Sequence, residues 1–406
     1  MDGRQTPGEL TSISKGTSST DLKRATLGVA LLFLVNGVVV GSWLPRLPEI
    51  RDRLGIDLRA LGITLALGGV GSLVGSAVSG ILVARLGARG TAALGASLSF
   101  LALPLISVVG GAGLLAIVLA VLGFLDSQAD VGMNALGIRV EEARGRSTMT
   151  RLHGLWSLGT LAGAASSAGA LLIGLDLGLQ LLLVSVVGLL TVAFAVRLLP
   201  TTPHRARVGA RSGTVALGLM LAGGTAVFIE GAPFDWSAIF LSDETGAGAA
   251  MAGGGVIVFT IGMLAGRLAG DHLVDRFGAV RTLYGGLASA VASMVVVVTS
   301  GATSAALVGF GVWGLGISVA LPVLYKLAGA HRSFAEGSGL AALTVGTRLG
   351  FMVAPASIGV AATAWSLPTA LAVVVGIAGV ASVTAVRLTL GSPGGRLDSL
   401  PGPGTS

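Results

Sequence analysis

The 406-residue chain contains no cysteine. That excludes a disulfide framework and a cysteine-ligated metal site. Histidine is scarce, with four residues, and no His/Glu pair falls at the helical spacing of a metal site. Charge is the third shortage: 11% of residues are Asp, Glu, Lys or Arg, where a soluble domain carries roughly 25%. So few charged groups could not wet the surface of a soluble protein of this length. A G-x-x-x-x-G-K-[ST] phosphate loop is missing, so an ATP-driven pump would need another subunit. Ser, His and Asp do not assemble into a catalytic constellation. The chain therefore reads as a non-enzyme, and neither a cofactor nor a metal is expected.

Apolar residues fill the gap, at 53% of the chain. Lipid is the solvent that such a composition suits. The formal net charge of +7 would suggest nucleic acid in a soluble protein. Here it reads as basic loops held on one side of a membrane, with no nucleic-acid partner.

A spanning helix needs about 20 mostly apolar residues. Such runs fall near 25–45, 60–83, 91–109, 114–137, 152–173 and 180–199, then near 214–232, 249–270, 282–300, 303–325, 339–361 and 367–388. The fold class is an all-α integral membrane protein of about twelve transmembrane helices. Residues 1–22 and 391–406, rich in Ser, Thr, Gly and Pro, read as disordered tails. Residues 23–199 and 214–390 form two six-helix halves joined by a basic linker at 200–213.

Alternating the sides from an inner N-terminus collects Arg85, Arg89, Arg139, Arg144, Arg146, Arg151, Arg205, Arg207, Arg211, Arg276, Arg281 and Arg332 on one face. Basic loops favour the cytoplasm. The expected location is a bacterial inner membrane, crossed many times, with both termini cytoplasmic. Arg46, Arg51, Arg53 and Arg59 form an outer cluster, partly balanced by Glu49, Asp52 and Asp57.

The halves repeat. Gly71, Gly75 and Ser79 recur as Gly262, Gly266 and Gly270, 191 residues later, and the same offset aligns Leu82–Ala88 with Leu273–Ala279. An even number of spans per half gives both copies the same orientation, as in parallel-repeat transporters whose solute lies between the halves. Small residues at four-residue spacing let helix backbones approach closely in lipid, so these six positions read as helix-packing sites.

The stretch from Gly80 to Arg89 resembles the G-x-x-x-D-R-x-G-x-R loop between helices 2 and 3 of the major facilitator superfamily. Gly80, Arg85, Gly87 and Arg89 match, and Ala84 replaces the acid. The second copy keeps Asp275, Arg276 and Gly278, with Asp271 where glycine is usual. The resemblance implies that these loops help hold one conformation shut. The segments Gly41–Arg51, Asp130–Asn134, His153–Gly159 and Glu230–Ser237 are similar to a bacterial branch near the fucose-permease sugar transporters. The fifth run lacks the Gly-Pro motif of many drug–proton antiporters.

Ionisable groups within apolar runs are costly and are functional suspects. Asp126, Asp130 and Asn134 lie four apart in the fourth run and share a helical stripe. The resemblance implies that helices 1, 4, 7 and 10 line the cavity. Asp126 and Asp130 are thus the proton-coupling candidates, because a carboxyl drawn out of water can load and release a proton near neutral pH. The alternative is a structural acid paired with a neighbouring helix. Arg348, central in the eleventh run, needs a carboxylate, carbonyls, water or an anionic solute group, since it keeps its charge. Glu230 reads as near the outer end of the seventh run, with Asp235 and Trp236 beyond it. Asn36, Asn134, Glu230 and Arg348 are the substrate-cavity candidates. Trp43 reads as an interfacial anchor, His153 as a helix-end residue, and Pro322 and Pro355 as bends.

The resulting expectation is a monomeric secondary transporter moving a small solute, sugar-like or polar, by alternating access coupled to protons, with solute, protons and lipid as partners. A drug or metabolite exporter is the alternative, and a non-transporting sensor of the same fold is the alternative of another class.

Overall fold

A computed structural model describes residues 19–145, 148–200, 214–330 and 338–390. Most of the expected tails, the linker from 201 onward, and Arg146 and Arg332 lie outside the described residues. Helix α1 is Ser19–Gly41, followed by a 3-10 turn at Leu44–Arg46 and the short helix α2, Leu47–Leu54. Next come α3 (Leu58–Ala102), the short α4 (Leu105–Val108), α5 (Ala112–Arg144), α6 (Met149–Leu172) and α7 (Leu177–Leu198). The second half contains α8 (Thr214–Thr245), α9 (Ala249–Phe277), α10 (Ala279–Thr299), α11 (Thr303–Ile317), α12 (Ala320–Ala330), α13 (Ser338–Ala364) and α14 (Leu367–Leu390).

At 45 residues, α3 is about twice as long as a bilayer needs at 1.5 Å per residue. Gly87 breaks it, with φ 72° and ψ 166°. That region of backbone space is essentially open to glycine alone. The chain reverses there, so α3 is two spans. Gly278, 191 residues later, repeats the conformation at φ 82° and ψ 152° between α9 and α10. With α11 and α12 forming one span interrupted at Ser318–Val319, just before Pro322, the described helices make twelve crossings in two parallel six-helix repeats. The loop expected over Gly80–Arg89 is therefore helix except at Gly87. A turn of one residue suffices because Gly87 needs no Cβ clearance.

The same duplication governs helix packing. A Cβ on Gly71 would overlap the Ala120 carbonyl oxygen of α5, and one on Gly262 would overlap the Gly311 carbonyl of α11. Gly75 and Gly266 meet Phe124 and Leu315 in the same way. Partner and stripe thus share one offset. Ser79 is buried and donates to the Gly75 carbonyl at 2.8 Å, while Gly270 faces the Val319 side chain.

The outer surface is apolar where a soluble protein would be charged. Leu172, Ile173, Leu190, Leu268 and Val380 are all largely exposed. Exposed apolar surface on this scale marks contact with a membrane. The breaks at Gly87 and Gly278 lie on one face with Arg85, Arg89, Arg139, Arg144, Arg151 and Arg281, here called the basic face. Helix α2 lies on the opposite face.

Two sequence expectations change. The seventh span does not stop near 232: α8 runs to Thr245 through Pro233, and Trp236 is fully buried. Glu230 is consequently mid-helix. Arg46 is also no surface charge. It is 4% exposed and bonds Glu49 at 2.6 Å, Gln180 at 3.2 Å and the Leu175 carbonyl at 3.0 Å. Gln180, itself buried, reaches from α7 to supply the acceptor that this burial requires.

Candidate functional site

The stripe on α5 opens between the halves, where Asp126, Asp130 and Asn134 are each partly exposed. Asn134 donates from Nδ2 to Asp130 Oδ1 at 2.8 Å and to the Asp130 carbonyl at 2.8 Å. Arg348 of α13, from the other half, donates from Nη2 to Asp130 Oδ2 at 2.7 Å. Asp130 thus holds a neutral amide on one oxygen and a guanidinium on the other. Charge-assisted bonds of this length are the strong class. Arg348 Nε is buried without a partner. Tyr325 of α12 is 40% exposed beside the pair.

One turn along, Asp126 meets no cation within bonding distance. Its Oδ1 accepts from Asn36 Nδ2 at 2.9 Å, and Asn36 Oδ1 accepts from Trp156 Nε1 at 2.8 Å. Asn36 is buried, so α1 and α6 close off this side. His153, a turn below Trp156, is exposed to the space between the halves and packs edge-on against Phe33 at 5.2 Å.

A second bridge between the halves was not anticipated from sequence. Arg267 of α9 donates to Glu230 Oε1 at 3.3 Å and to the Ser157 hydroxyl, and its guanidinium lies 5.8 Å from the Trp156 ring centre. Glu230 is therefore paired within its own half, while Arg267 also touches the opposite half. The sequence signal for it is an arginine inside the apolar run 249–270, set within the stripe of small residues at Gly262, Gly266 and Gly270. Asp235, on the same helix as Glu230, makes no hydrogen bond or ion pair among the described residues.

The two faces differ. On the α2 face, Arg51 grips Asp243 of α8 with Nη1 and Nη2, the latter at 3.0 Å. The hydrogen bond to Asp243 raises the Arg51 pKa above its ordinary value. Helices α3 and α13 also meet backbone to backbone there, at Gly62, Pro355 and Gly359. On the basic face, Arg85, Asp275 and Arg276 are exposed, and among the described residues none of them bonds the opposite half. Arg89 is half-buried beside Gly87, and Arg276 lies over the neighbouring Phe277 ring. Gly80 has open space around it. Trp43 starts the 3-10 turn and is half-buried. Among the described residues, no group of three or more His, Asp or Glu could hold a metal.

The chain is 31% identical to an uncharacterised MFS-type transporter of Yersinia pestis over 84% of this chain and 89% of that protein. It belongs to the major facilitator superfamily. This transporter is also 29% identical to an uncharacterised transporter of Sinorhizobium fredii, over 83% of this chain and 91% of the other. It is 27% identical to the membrane protein MosC of Rhizobium meliloti, over 89% and 90% respectively. No family model matches. Among solved structures, the nucleoside transporter NupG superposes with a TM-score of 0.71 at 13% identity, covering 90% of this chain and 98% of NupG. A bacterial homologue of the lysosomal transporter Spinster gives 0.70 at 13%, covering 93% and 100%. These likenesses establish the fold. The transporter is a multi-pass secondary transporter of a small molecule, and not an enzyme.

Proposed function

We propose that this transporter carries a small polar, sugar-like solute coupled to protons, through a site between Asp126, Asp130 and Arg348. The observation that carries the reading is the 2.7 Å Arg348–Asp130 pair, which joins the two halves at a carboxylate whose side chain is still 32% exposed. Intramembrane charges facing a cavity mark ion and solute pathways. A proton arriving at Asp130 would remove the charge that holds Arg348. The seam would then loosen, and solute hydroxyls could take over the freed donors. Asp126, bonded only to an amide, is the second proton site. Glu230 and Asn36, buried on the helices around these acids, are the further candidates for solute contact.

The basic face is taken as cytoplasmic, following the distribution of arginine, in a bacterial inner membrane. On that assignment the described state faces inward: the α2 face is bridged, and the Arg85 and Asp275–Arg276 segments stand free of the opposite half. Both halves that frame the site come from one chain, which supports a working monomer. The resemblance of Gly41–Arg51, Asp130–Asn134, His153–Gly159 and Glu230–Ser237 to fucose-permease-like carriers is what supports the sugar-like solute.

The test uses purified protein in liposomes loaded with a pH-sensitive dye, challenged with pools of sugars, small acids and organic cations. Proton movement triggered by the sugar pool, and lost in Asp130→Asn, is the expected result. Movement triggered only by organic cations would replace the sugar reading with an exporter. Solute flux without proton movement would remove the coupling.

A further inference from the structure

Trp156 makes two unlike contacts that meet nowhere else among the described residues. Its ring edge donates Nε1–H to Asn36 Oδ1 at 2.8 Å, and the guanidinium of Arg267, from the opposite half, lies 5.8 Å from its centre. The edge contact has a definite direction. An indole N–H can only donate, so it fixes the carbonyl end of the Asn36 amide toward α6. The amino end then points at Asp126 Oδ1, 2.9 Å away. One Asp126 oxygen is thereby committed as an acceptor, and a proton on this carboxyl is confined to the other oxygen. The helices that carry the chain do not slide. A Cβ on Gly37 would overlap the Trp156 carbonyl oxygen, and one on Gly159 would overlap the Leu34 carbonyl. Asn36 and Trp156 therefore hold their register as one body.

We propose that Trp156 is a positioning residue that links the protonation of Asp126 to the Arg267–Glu230 pair of the opposite half. The line runs Asp126, Asn36, Trp156, Arg267, Glu230. A change at the Asp126 carboxyl alters the pull on the Asn36 amide and, through it, the indole on which Arg267 rests. Arg267 also holds Ser157, the next residue on α6, so a shift of the ring is felt at a guanidinium that already spans the seam. The inference rests on the proton-coupled reading for its physiological use, but the link itself can be measured without transport.

Asp126 is surrounded by Asp130 on its own helix, Arg348 on α13 and the neutral Asn36 on α1. Trp156 has His153 on its own helix, Arg267 on α9, and Glu230 behind Arg267; Tyr325 lies on α12 near Asp130 and Arg348. His153 could titrate in the same window and is the necessary control.

The experiment reads Trp156 fluorescence as the difference between the wild type and Trp156→Phe, in detergent, from pH 5 to pH 9. A pH-dependent emission change is expected in the wild type and in His153→Gln, and its loss is expected in Asp126→Asn and in Asn36→Leu. An emission that does not respond to pH, or a response that survives Asp126→Asn, would overturn the proposal; so would loss in His153→Gln alone. Trp156→Phe keeps most of the ring and loses the donor. In liposomes it should retain solute exchange within about twofold while proton-driven accumulation falls about tenfold. An equal fall in both would make Trp156 a packing residue only. If the wild type shows the optical link but no proton-driven accumulation, the coupling reading fails and the link stands.

Discussion

Arg348 and Asp130, 218 residues apart in sequence, meet at 2.7 Å across the seam between the two halves. A buried pair broken on one side leaves a charge without a counterion, at a cost of about 3–5 kcal/mol at the fully buried limit. Here Asp130 is about a third exposed, so the cost is smaller. Asp130→Asn and Arg348→Gln should each lower thermal stability in detergent, and the double variant should recover most of it. Coupled transport should be lost in all three. Full transport in the double variant would show that the pair only holds the fold.

Arg51 and Asp243 make the corresponding contact on the α2 face. Both side chains are partly solvated, and such pairs are worth about 0.2–1 kcal/mol. That range converts to a shift of up to about fivefold between closed and open states. The absence of cysteine makes the shift readable, because a single Ala66→Cys on the α3 face toward α13 is the only thiol. Arg51→Ser should speed its labelling by an impermeant maleimide about two- to fivefold. The swap Arg51→Asp with Asp243→Arg should return it toward the wild-type rate. Unchanged labelling in Arg51→Ser would mean that the backbone contacts at Gly62 and Gly359 hold that face closed alone.

Gly71 and Gly80 should differ sharply in their response to an added side chain. Gly71→Val forces side-chain atoms into the Ala120 carbonyl, whereas Gly80 has nothing within 4 Å of an added Cβ. Overpacking typically costs about 1–3 kcal/mol. A clear loss of folded yield and melting temperature is expected for Gly71→Val, with little change for Gly80→Ala. Equal behaviour would contradict the packing described between α3 and α5.

Gly87→Ala and Gly278→Ala should both destabilise, since each glycine has a positive φ with extended ψ. Strained backbone of this kind costs about 1–3 kcal/mol per residue. Similar melting losses for the two variants are expected, because the turns are copies. A loss confined to one would mean that the other turn can be remade by its neighbours.

The architecture was legible in the sequence because lipid imposes a length and a composition on every span, and because duplication left Gly71 and Gly262 in matching places. Asp126, Asp130 and Arg348 stood out for the same reason, as charges in apolar runs. What the sequence hid was pairing. Glu230 looked like a helix end because the apolar run fades near 232 and Asp235 and Trp236 follow, yet α8 continues to Thr245, and its interior placement is plain only with Arg267 beside it. Arg46 sits among charges that do face solvent, and its burial depended on Gln180, 134 positions away. Pairings of this kind are set by which helices touch, which one-dimensional patterning does not carry.

The most direct test follows a radiolabelled sugar into liposomes under an imposed inward proton gradient, with and without a protonophore. The account predicts accumulation above the external concentration, abolished by the protonophore and by Asp130→Asn. Equilibration without accumulation, unaffected by either, would contradict proton coupling through Asp130.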